Sequence, residues 1–542
     1  MDIYRIEDSF EPSTDGKAAF SMDGMVATAF PQASQAGVAM LQRGGNAVDA
    51  AVAAAMALSV CEPQASGLGG QTMAVLHVNG RTLALDGSSR VPSLAVRSKL
   101  ANGEQFLGYR ATTVPSTPAV LGYMHFKFGS LAWDEVLAPA IQLAKEGYAL
   151  TGMQCRLQAR ELVTFLKVTP PSGALAFLRK GEHPHESGRL FVQLELAQVL
   201  ELLADQGPRA FYLGPVAERI DKDMRENQGF LRAEDLALIP WPIERPCVER
   251  HYREVRIATI PPPGAGRDLS LVMMVLGNLP SDFLSKVAPS SCHFMAETFR
   301  KVFLQRRQHP VGPNHYQQSP DRIMTNPEFA RSLAISIQEH VDPALPLLDA
   351  PQLGGETTHI SVMDAMGNAV SLSQSIESIY GSKAAASGLG FLYNNYLNTL
   401  ETKDPSHPYY LRPGAVPWSS VAPAIMFLNG TPWLAAGSPG SDRIYSAMAQ
   451  FMVHLVDGGC SLYEAMARPR LHCSLGGVVS LEAERFDPAV VAHLEGLGYQ
   501  IDRRRDYAFY LGAINATIRC QTRPGFMGVA EVRRDGMAAG PV

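Results

Sequence analysis

The sequence predicts an α/β protein with an extensive core, because helical and strand-like patterns both recur along a largely apolar chain. Of its 542 residues, 46% are hydrophobic and 18% are charged, which is a globular composition. Residues 45–60 are Ala-rich and apolar, as in a buried helix, and residues 117–232 are mostly helical in pattern. From residue 357 onward, strand patterns dominate.

The first predicted elements are a capped helix and a hairpin. Asn46 is placed to cap the helix of residues 45–60. Residues 73–77 and 82–85 then alternate as strands do, and the Asn79-Gly80 pair between them is typical of a tight β-turn. Further helices are expected at residues 131–146, 194–203, 269–276 and 326–340. Residues 341–356 have the composition of a loosely held linker.

The charge balance argues against a nucleic-acid or membrane partner. The net charge is -5, so the chain has no overall basic field that would attract either polyanion. The densest basic run is Arg503-Arg504-Arg505, which lies between Asp502 and Asp506. Interspersed opposite charges of this kind predict a solvated loop.

The cysteines and the apolar segments indicate the cellular compartment of the protein. Seven cysteines are scattered singly without any CxxC pair, which favours reduced thiols over disulfides or a zinc site. The first eight residues are acidic and lack the apolar core of a secretory signal. The longest apolar stretch, residues 50–60, is too short to cross a bilayer. We therefore expect a cytoplasmic protein.

Thr357 is the most informative residue of the chain. It begins a strand-like run directly after the flexible segment 354–356, which reads Gly-Gly-Glu. If the peptide bond between Glu356 and Thr357 is cut, Thr357 gains a free α-amino group beside its own hydroxyl. One residue then carries both a nucleophile and its general base, which is the chemistry of an N-terminal threonine hydrolase.

The neighbouring sequence predicts a hairpin that carries hydroxyl groups toward Thr357. Residues 364–368 form a turn, with Gly367 suited to a positive φ and to a possible bulge. If residues 364 and 368 face each other, Thr357 lies opposite Ser375, give or take one position. Ser373 and Ser375 are then within side-chain reach of Thr357. The alternative is an ordinary Thr/Ser-rich edge hairpin without catalytic function.

Two further segments carry polar groups that are suited to an active site. The turn 437–443 follows an apolar strand and precedes a helix, so its consecutive N–H groups are placed to form an oxyanion hole. Ser419 and Ser420 precede a Val-Ala-Pro segment and are suited to hold a carboxylate. Each segment can equally be a structural turn or a capped loop.

Taken together, these motifs resemble the γ-glutamyltransferase (glutathione hydrolase) family of N-terminal nucleophile hydrolases. The resemblance rests on GGNAVDAAVA at 44–53, EPQASGLGG at 62–70, VPSTP at 114–118, TTHISV at 357–362, GSPG at 437–440 and RRDG at 533–536. It extends along nearly the whole chain. It implies a four-layer αββα sandwich and an autocatalytic cut that divides a zymogen into a large subunit, 1–356, and a small subunit, 357–542.

The resemblance also implies roles for individual residues. Thr357 is the implied nucleophile, and Ser375 stands where a family threonine contacts it. Gly440 and Ser441 match the oxyanion glycine pair, with serine in place of the second glycine. Ser419 and Ser420 match the pair that binds the carboxylate of the donor. His359 matches a family histidine, which we interpret as structural.

The substrate-binding positions depart from the family pattern. The arginine expected two residues after Asp86 is absent, and Arg90 lies two positions further on, about 6.6 Å away by strand rise. Glu377 stands where an asparagine is common, and Tyr396 and Thr399 replace expected Gln/Glu and Asp residues. Arg90, Glu377 and Tyr396 are therefore candidate substrate-binding residues of altered specificity.

Three functions remain open from the sequence. The first is hydrolysis or transfer of γ-glutamyl groups, in glutathione metabolism, with Arg90 and Glu377 completing the site. The second is the same chemistry on another small amide, such as oxamate or an N-acyl side chain. The third is a non-catalytic, ligand-binding paralogue. In the first two, an acyl-enzyme passes its acyl group to water or an amine. We expect no metal or organic cofactor, and we expect the two subunits to stay associated.

Overall fold

Two seven-stranded antiparallel sheets form the centre of the protein in a computed structural model that describes residues 3–314, 323–339 and 355–542. In spatial order, sheet 1 contains β1 (Ala18–Ser21), β18 (Phe526–Ala530), β17 (Asn515–Arg519), β13 (Thr431–Gly437), β12 (Ala424–Leu428), β9 (Val255–Thr259) and β8 (Val248–Tyr252). Sheet 2 contains β19 (Met537–Ala539), β2 (Gly24–Thr28), β10 (Gly355–Asp364), β11 (Ala369–Ser378), β3 (Gln71–Val78), β4 (Arg81–Asp86) and β7 (Ile243–Arg245). Five short strands lie outside these sheets: β5 (Tyr148–Ala149), β6 (Leu190–Phe191), β14 (Leu471–Cys473), β15 (Val478–Glu482) and β16 (Gln500–Arg504).

Helices cover the outer faces of both sheets. Those of the first half are α1 (Ile3–Asp8), α2 (Pro31–Gln42), α3 (Ala47–Cys61), α4 (Thr117–Phe128), α5 (Trp133–Glu146), α6 (Gly152–Phe165), α7 (Ser172–Phe177), α8 (Leu194–Gln206), α9 (Pro215–Glu226) and α10 (Ala233–Ala237). Those of the second half are α11 (Gly266–Leu276), α12 (Ser281–Leu284), α13 (Pro289–Gln308), α14 (Pro327–Glu339), α15 (Ile444–Val456), α16 (Leu462–Ala467) and α17 (Pro488–Gly496). None of the helices described is long and apolar enough to cross a membrane.

Three apolar clusters show how these layers stack. One cluster packs α3 and its neighbouring helices against the outer face of sheet 2, through residues such as Ile360 and Leu372. A second packs α11 and α15 against the outer face of sheet 1. A third lies between the sheets and joins Val75 of sheet 2 to Ile425 of sheet 1. The order helix, sheet, sheet, helix confirms the predicted four-layer αββα sandwich.

Strands from both sides of residue 357 are hydrogen-bonded to one another within both sheets. In sheet 2, β10 and β11 lie between β2 and β3, and β19 pairs with the outer edge of β2. In sheet 1, β12 pairs with β9, and β18 pairs with β1. The segments 1–356 and 357–542 therefore share one core instead of forming separate domains.

Most predicted elements are present. The capped helix is α3, where Asn46 and Asp49 form a reciprocal capping box, and the first hairpin is β3–β4. The prediction of a loop was wrong for Arg503 and Arg504, because β16 carries both and pairs in parallel with β15, whereas Arg503 and Arg505 are exposed to solvent as predicted. The charges of this run give no indication of its partner strand, which is distant in the sequence. Of the predicted linker, residues 341–354 lie outside the described residues.

Candidate active site

The β10–β11 hairpin determines the position of the predicted nucleophile. Its strands pair in the register predicted from the turn, with Thr358 opposite Gln374 and Met363 opposite Ala369. Gly367 in the turn has a φ of 87°, a left-handed conformation that glycine adopts without the steric cost of a side chain. The predicted hairpin and its register are confirmed.

Thr357 itself lies at a bulge in this hairpin. The register shifts between Glu356 and Thr358, where β10 has one residue, Thr357, and β11 has two, Ser375 and Ile376, so the irregularity is opposite the nucleophile and not at Gly367, where one was predicted. The extra residue lies on β11, and a bulge bends its strand and redirects the side chains beside it. Thr357 is only 3% exposed, and its hydroxyl lies 3.3 Å from the Ser375 hydroxyl. Ser373, also expected near Thr357, instead contacts His359 at 2.9 Å.

The Ser375 hydroxyl connects the nucleophile to the peptide bond that precedes it. It donates a hydrogen bond to the carbonyl oxygen of Glu356 at 2.8 Å, and it accepts from the Thr357 hydroxyl. It also accepts from the backbone N–H of Glu377 at 2.9 Å. A hydroxyl has one proton and two lone pairs, so these three contacts use its full capacity and fix its orientation. Ser375 therefore polarises the bond between Glu356 and Thr357 and faces the Thr357 proton.

The side chain of Glu356 is also held in place. Its carboxylate forms a buried ion pair with Arg534 and accepts from the backbone N–H of Thr357 at 3.2 Å. Arg534 in turn lies over the ring of Phe509, with 3.9 Å between the guanidinium carbon and the ring centroid. The residue before the cut is thus anchored through both its carbonyl and its side chain. Sequence reasoning assigned no role to Arg534, although the RRDG motif contains it.

Glu377 occupies a strained position beside this cluster. Its φ is 80°, a conformation that costs a non-glycine residue about 1 kcal/mol or more. Burial raises the pKa of Glu377 to about 8, and the negative charge of Asp442 adds to the rise. The carboxyl is therefore protonated at neutral pH, and only an incoming cation or a hydrogen-bond donor would favour its charged form.

The polar groups around Tyr396 are only partly satisfied. The side chains of Ser375, Ser419 and Gln71 face its phenol, and burial, followed by the charge of Glu377, raises the pKa of that phenol. Ser419 Oγ and Gln71 Nε2 are nevertheless buried without a hydrogen bond of normal geometry in the described chain. Unpaired buried polar atoms are rare in folded proteins, and here they mark a place for a polar ligand.

The predicted oxyanion turn is strained in a way that the sequence did not reveal. Gly440 has a φ of 130° and Ser441 a φ of 53°, so the serine adopts a conformation that favours glycine. A Cβ added to Gly355 would lie 2.7 Å from both Cβ and Oγ of Ser441. The Ser441 side chain therefore fills the space beside Gly355, two residues before Thr357.

Gly355→Ala is expected to slow cleavage of the chain by about tenfold, because overpacking of this kind costs about 1–3 kcal/mol. The double variant Gly355→Ala/Ser441→Gly removes the opposing side chain and should recover most of the rate. The measurement is the fraction of uncut chain against time on a denaturing gel. A double variant as slow as Gly355→Ala alone would show that this contact does not control cleavage.

Comparison with known proteins identifies the family. A family model described as gamma-glutamyltranspeptidase matches residues 33–541. The chain belongs to this family. The glutathione hydrolase proenzyme of Escherichia coli (strain K12) is 30% identical over 523 residues, covering 91% of this chain and 87% of that protein. The Acylase ACY 1 proenzyme of Pseudomonas sp. (strain V22) is 30% identical, with coverage of 92% and 90%.

A solved structure supports the same assignment for the fold. Cephalosporin acylase from Bacillus halodurans superposes with a TM-score of 0.88 at 26% identity and covers 98% of each chain. The gamma-glutamyltranspeptidase family places this chain among enzymes that hydrolyse amides or transfer their acyl groups. The relatives include glutathione hydrolases as well as acylases, so the family alone leaves the substrate open.

Arg90 does not take the position that we expected in this member of the family. Its guanidinium donates to the backbone carbonyls of Ser88 and Ser89 at 3.0 and 3.1 Å. It lines a cavity together with Trp241 and other apolar residues, apart from the groups that surround Thr357. Strand rise gives a distance only within β4, and the chain leaves this strand after Asp86.

The remaining predicted residues are distributed around the cluster. Ser419 and Ser420 are both buried, and the Ser419 N–H donates to the Pro263 carbonyl at 2.9 Å. Thr399 turns its hydroxyl back to the Tyr396 carbonyl at 3.0 Å, so it does not replace the expected carboxylate. His359 is fully buried, and burial lowers its pKa to about 3. A neutral imidazole bonded to Ser373 fits the structural role predicted for His359.

Glu62 is a buried carboxyl that the sequence analysis did not single out. Burial raises its pKa to about 8; the Thr358 hydroxyl and Arg534 oppose the rise, whereas Glu356 adds to it. No hydrogen bond of normal geometry reaches either carboxyl oxygen within the described residues. Glu62 is therefore protonated in the folded protein at neutral pH.

Glu62→Gln is expected to change how stability depends on pH. The folded protein keeps a proton that the unfolded chain loses near pH 4.5, so wild-type stability falls as pH rises from about 4.5 to about 8. The variant lacks this titration and should gain roughly 3 kcal/mol relative to the wild type between pH 5 and pH 8. Thermal unfolding at both pH values measures the difference. Parallel pH profiles for the two proteins would contradict it.

Proposed function

We propose that this protein cuts itself between Glu356 and Thr357 and then acts as an N-terminal threonine amidohydrolase and acyltransferase on a small amide. The observation that carries the proposal is the placement of Ser375, which donates to the Glu356 carbonyl at 2.8 Å and accepts from the Thr357 hydroxyl at 3.3 Å. The proenzyme names of the glutathione hydrolase and acylase relatives support it.

The cut proceeds through an ester. Thr357 Oγ attacks the Glu356 carbonyl carbon, the carbon–nitrogen bond breaks, and the hydroxyl proton passes to the departing nitrogen. The acyl group now rests on Thr357 Oγ, and water hydrolyses this ester to release the Glu356 carboxylate. The freed α-amine has an ordinary pKa of about 7.7–8.0, so a useful fraction is unprotonated at neutral pH and serves as the base.

The same series of chemical steps then takes place on a substrate amide. Thr357 attacks the amide, the amine leaves with the proton held by the α-amine, and an acyl-enzyme remains. Backbone N–H groups at Gly440 and Ser441 are the proposed donors to the oxyanion, each worth a large part of the rate. Water or an amine acceptor then takes the acyl group and restores Thr357.

We infer that the preferred donor lacks the α-ammonium of a γ-glutamyl group. The residues around Tyr396 present no carboxylate that is already charged: burial raises the pKa of Glu377 to about 8, so an α-ammonium would first have to ionise it, and Thr399 bonds its own backbone. Arg90 is directed to other partners. Charged hydrogen bonds contribute about 1.5–3 kcal/mol each, so γ-glutamyl donors should lose about tenfold or more.

The test is N-terminal sequencing of the purified protein followed by p-nitroaniline release from a panel of acyl p-nitroanilides. We expect a new terminus that reads Thr-Thr-His, and faster turnover of small acyl anilides than of γ-glutamyl-p-nitroanilide. A protein that is cut but prefers the γ-glutamyl anilide would instead support a γ-glutamyl hydrolase or transferase, with Glu377 ionised by the substrate ammonium. An uncut protein that hydrolyses none of the panel would point to the ligand-binding paralogue.

We further propose that the two segments remain associated after the cut. We also propose that the protein is located in a reducing compartment, the cytoplasm. The strands shared between segments in both sheets support the first part. Seven unpaired cysteines, five of them buried, support the second. Gel filtration of the cut protein and cell fractionation test the two parts separately.

A further inference from the structure

The cavity that Arg90 and Trp241 line has a volume of about 570 Å³ and lies apart from the groups that surround Thr357. Small-molecule sites in proteins typically occupy about 300–1,000 Å³, so this cavity is large enough for a ligand. Most of its walls are apolar and come from separate segments of the chain, including Val91, Val114, Leu238, Ile239, Trp241 and Ile243. Such walls are suited to hold the carbon skeleton of a ligand.

The apolar surface of the cavity continues to the solvent. Leu238 is 84% exposed and Ile243 is 40% exposed, and both line the cavity. Between them, Ile239 has a φ of 22°, which is rare for a β-branched residue, and the Trp241 N–H donates to the Ile239 carbonyl at 2.7 Å. Exposed apolar side chains around a concave surface, held by a strained turn, are typical of a binding site.

Arg90 brings a positive charge to this apolar wall. Only its Nη1 atom donates to described residues, the carbonyls of Ser88 and Ser89, at 3.0 and 3.1 Å. Its Nε and Nη2 groups, which make no hydrogen bond to the described part of the chain, remain for another partner. A planar guanidinium with donors still available is suited to bind an anionic oxygen.

The acidic residues nearest to Arg90 do not neutralise it. Asp235 also lines the cavity, but its two carboxylate oxygens accept backbone N–H groups at 2.8 and 3.0 Å. Asp86 forms a buried ion pair with Arg245 at 2.8 Å. No acidic side chain within the described ranges lies at ion-pair distance from Arg90, and burial lowers the pKa of its guanidinium. A bound anion would supply the missing counter-charge.

We propose that this cavity is a second ligand site, in which Arg90 binds the carboxylate of a small monocarboxylic acid and the apolar walls hold its aromatic or aliphatic body. The guanidinium suits two-point binding of a carboxylate. One cation among apolar walls favours a monoanion, because a doubly charged phosphate group would call for further charged donors. The site is separate from Thr357, and the proposal does not depend on the reaction there.

The test is calorimetric titration of the uncut Thr357→Ala chain with 4-phenylbutyrate and with 4-phenylbutan-1-ol, which share a carbon skeleton and differ in charge. In the uncut chain, Glu356 and residue 357 are 1% and 3% exposed, so neither compound can reach the position of the nucleophile. We expect the acid to bind about tenfold more tightly than the alcohol, as one charged hydrogen bond allows. Equal affinities, or no binding of either compound, would overturn the proposal.

Arg90→Gln in the same chain should lower the affinity for the acid by about tenfold and leave that for the alcohol unchanged. Glutamine keeps an N–H donor for the carbonyls of Ser88 and Ser89, which favours folding of the variant. Arg81→Gln is the matched control, because it makes the same change in net charge at the exposed start of β4. It should change neither affinity. An equal loss for both compounds in Arg90→Gln would contradict the assigned role of Arg90.

Trp241→Phe locates the bound acid without a change at Arg90, so it remains informative if Arg90→Gln does not fold. Trp241 is one of four tryptophans in the chain, and phenylalanine keeps an aromatic wall. Binding of 4-phenylbutyrate should shift the tryptophan emission of the Thr357→Ala chain. Addition of Trp241→Phe should abolish that shift, while calorimetry still detects binding. A shift that persists would place the ligand elsewhere and overturn the site.

Discussion

Thr357→Ala is expected to give a single uncut chain without amide hydrolase activity. Alanine has no hydroxyl to attack the Glu356 carbonyl, and Ser375 cannot substitute, because its only proton is already donated to that carbonyl. The wild type should give two chains, residues 1–356 and 357–542. Removal of a nucleophile that acts together with its base leaves at most a residual rate, so the loss should be about 10⁴-fold or more.

Thr357→Ser is the matched control for that experiment. It keeps the hydroxyl and the future α-amine and removes only a methyl group, so two chains should still form. The measurement is intact-mass analysis of both proteins after the same incubation. Two chains from Thr357→Ala would mean that another residue or a contaminating protease makes the cut.

Ser375→Ala is expected to slow cleavage by about 10²-fold, the typical cost of removing one hydrogen-bond donor to a reacting carbonyl. The same change removes the acceptor for the Thr357 hydroxyl and for the Glu377 N–H. Since Glu377 has a φ of 80°, the loss of its N–H partner should also loosen β11 at its end. The rate is measured from the decline of uncut chain after rapid purification.

Ser375→Thr separates chemistry from packing in this experiment. Threonine keeps the hydroxyl and adds one methyl group, so cleavage should stay within about tenfold of the wild type, given the cost of modest overpacking. Comparable slow cleavage in both variants would indicate that the space around Ser375, and not its hydrogen bond, is what matters.

The sequence predicted the hairpin well because two local rules agree there. The alternation of Ile360 and Val362 defines one face, and the turn at Gly367 sets the register for the whole ladder. The contact of Ser375 with Thr357 follows from that register. The capped helix α3 was equally accessible, because Asn46 and Asp49 form their capping box within four residues.

The parts that the sequence did not reveal depend on contacts between distant segments. The bulge opposite Thr357 lies near the end of the β10–β11 ladder, and Ser441 lies in a turn that packs against Gly355; neither feature has a local signature. Arg504 gains its position only because β16 pairs with β15 and brings it against Tyr510. The predicted position of Arg90 was wrong because strand spacing holds only within β4, which ends at Asp86.

The pairing of strands from both sides of Thr357 determines how the protein can refold after it has been cut. Once cut, the pieces can recover the native arrangement only by meeting each other, so refolding becomes bimolecular and its midpoint depends on concentration. Refolding of the uncut chain does not depend on concentration, because its two segments are covalently joined. Heat or denaturant should therefore unfold the mature form irreversibly at dilutions at which the unprocessed Thr357→Ala chain still refolds.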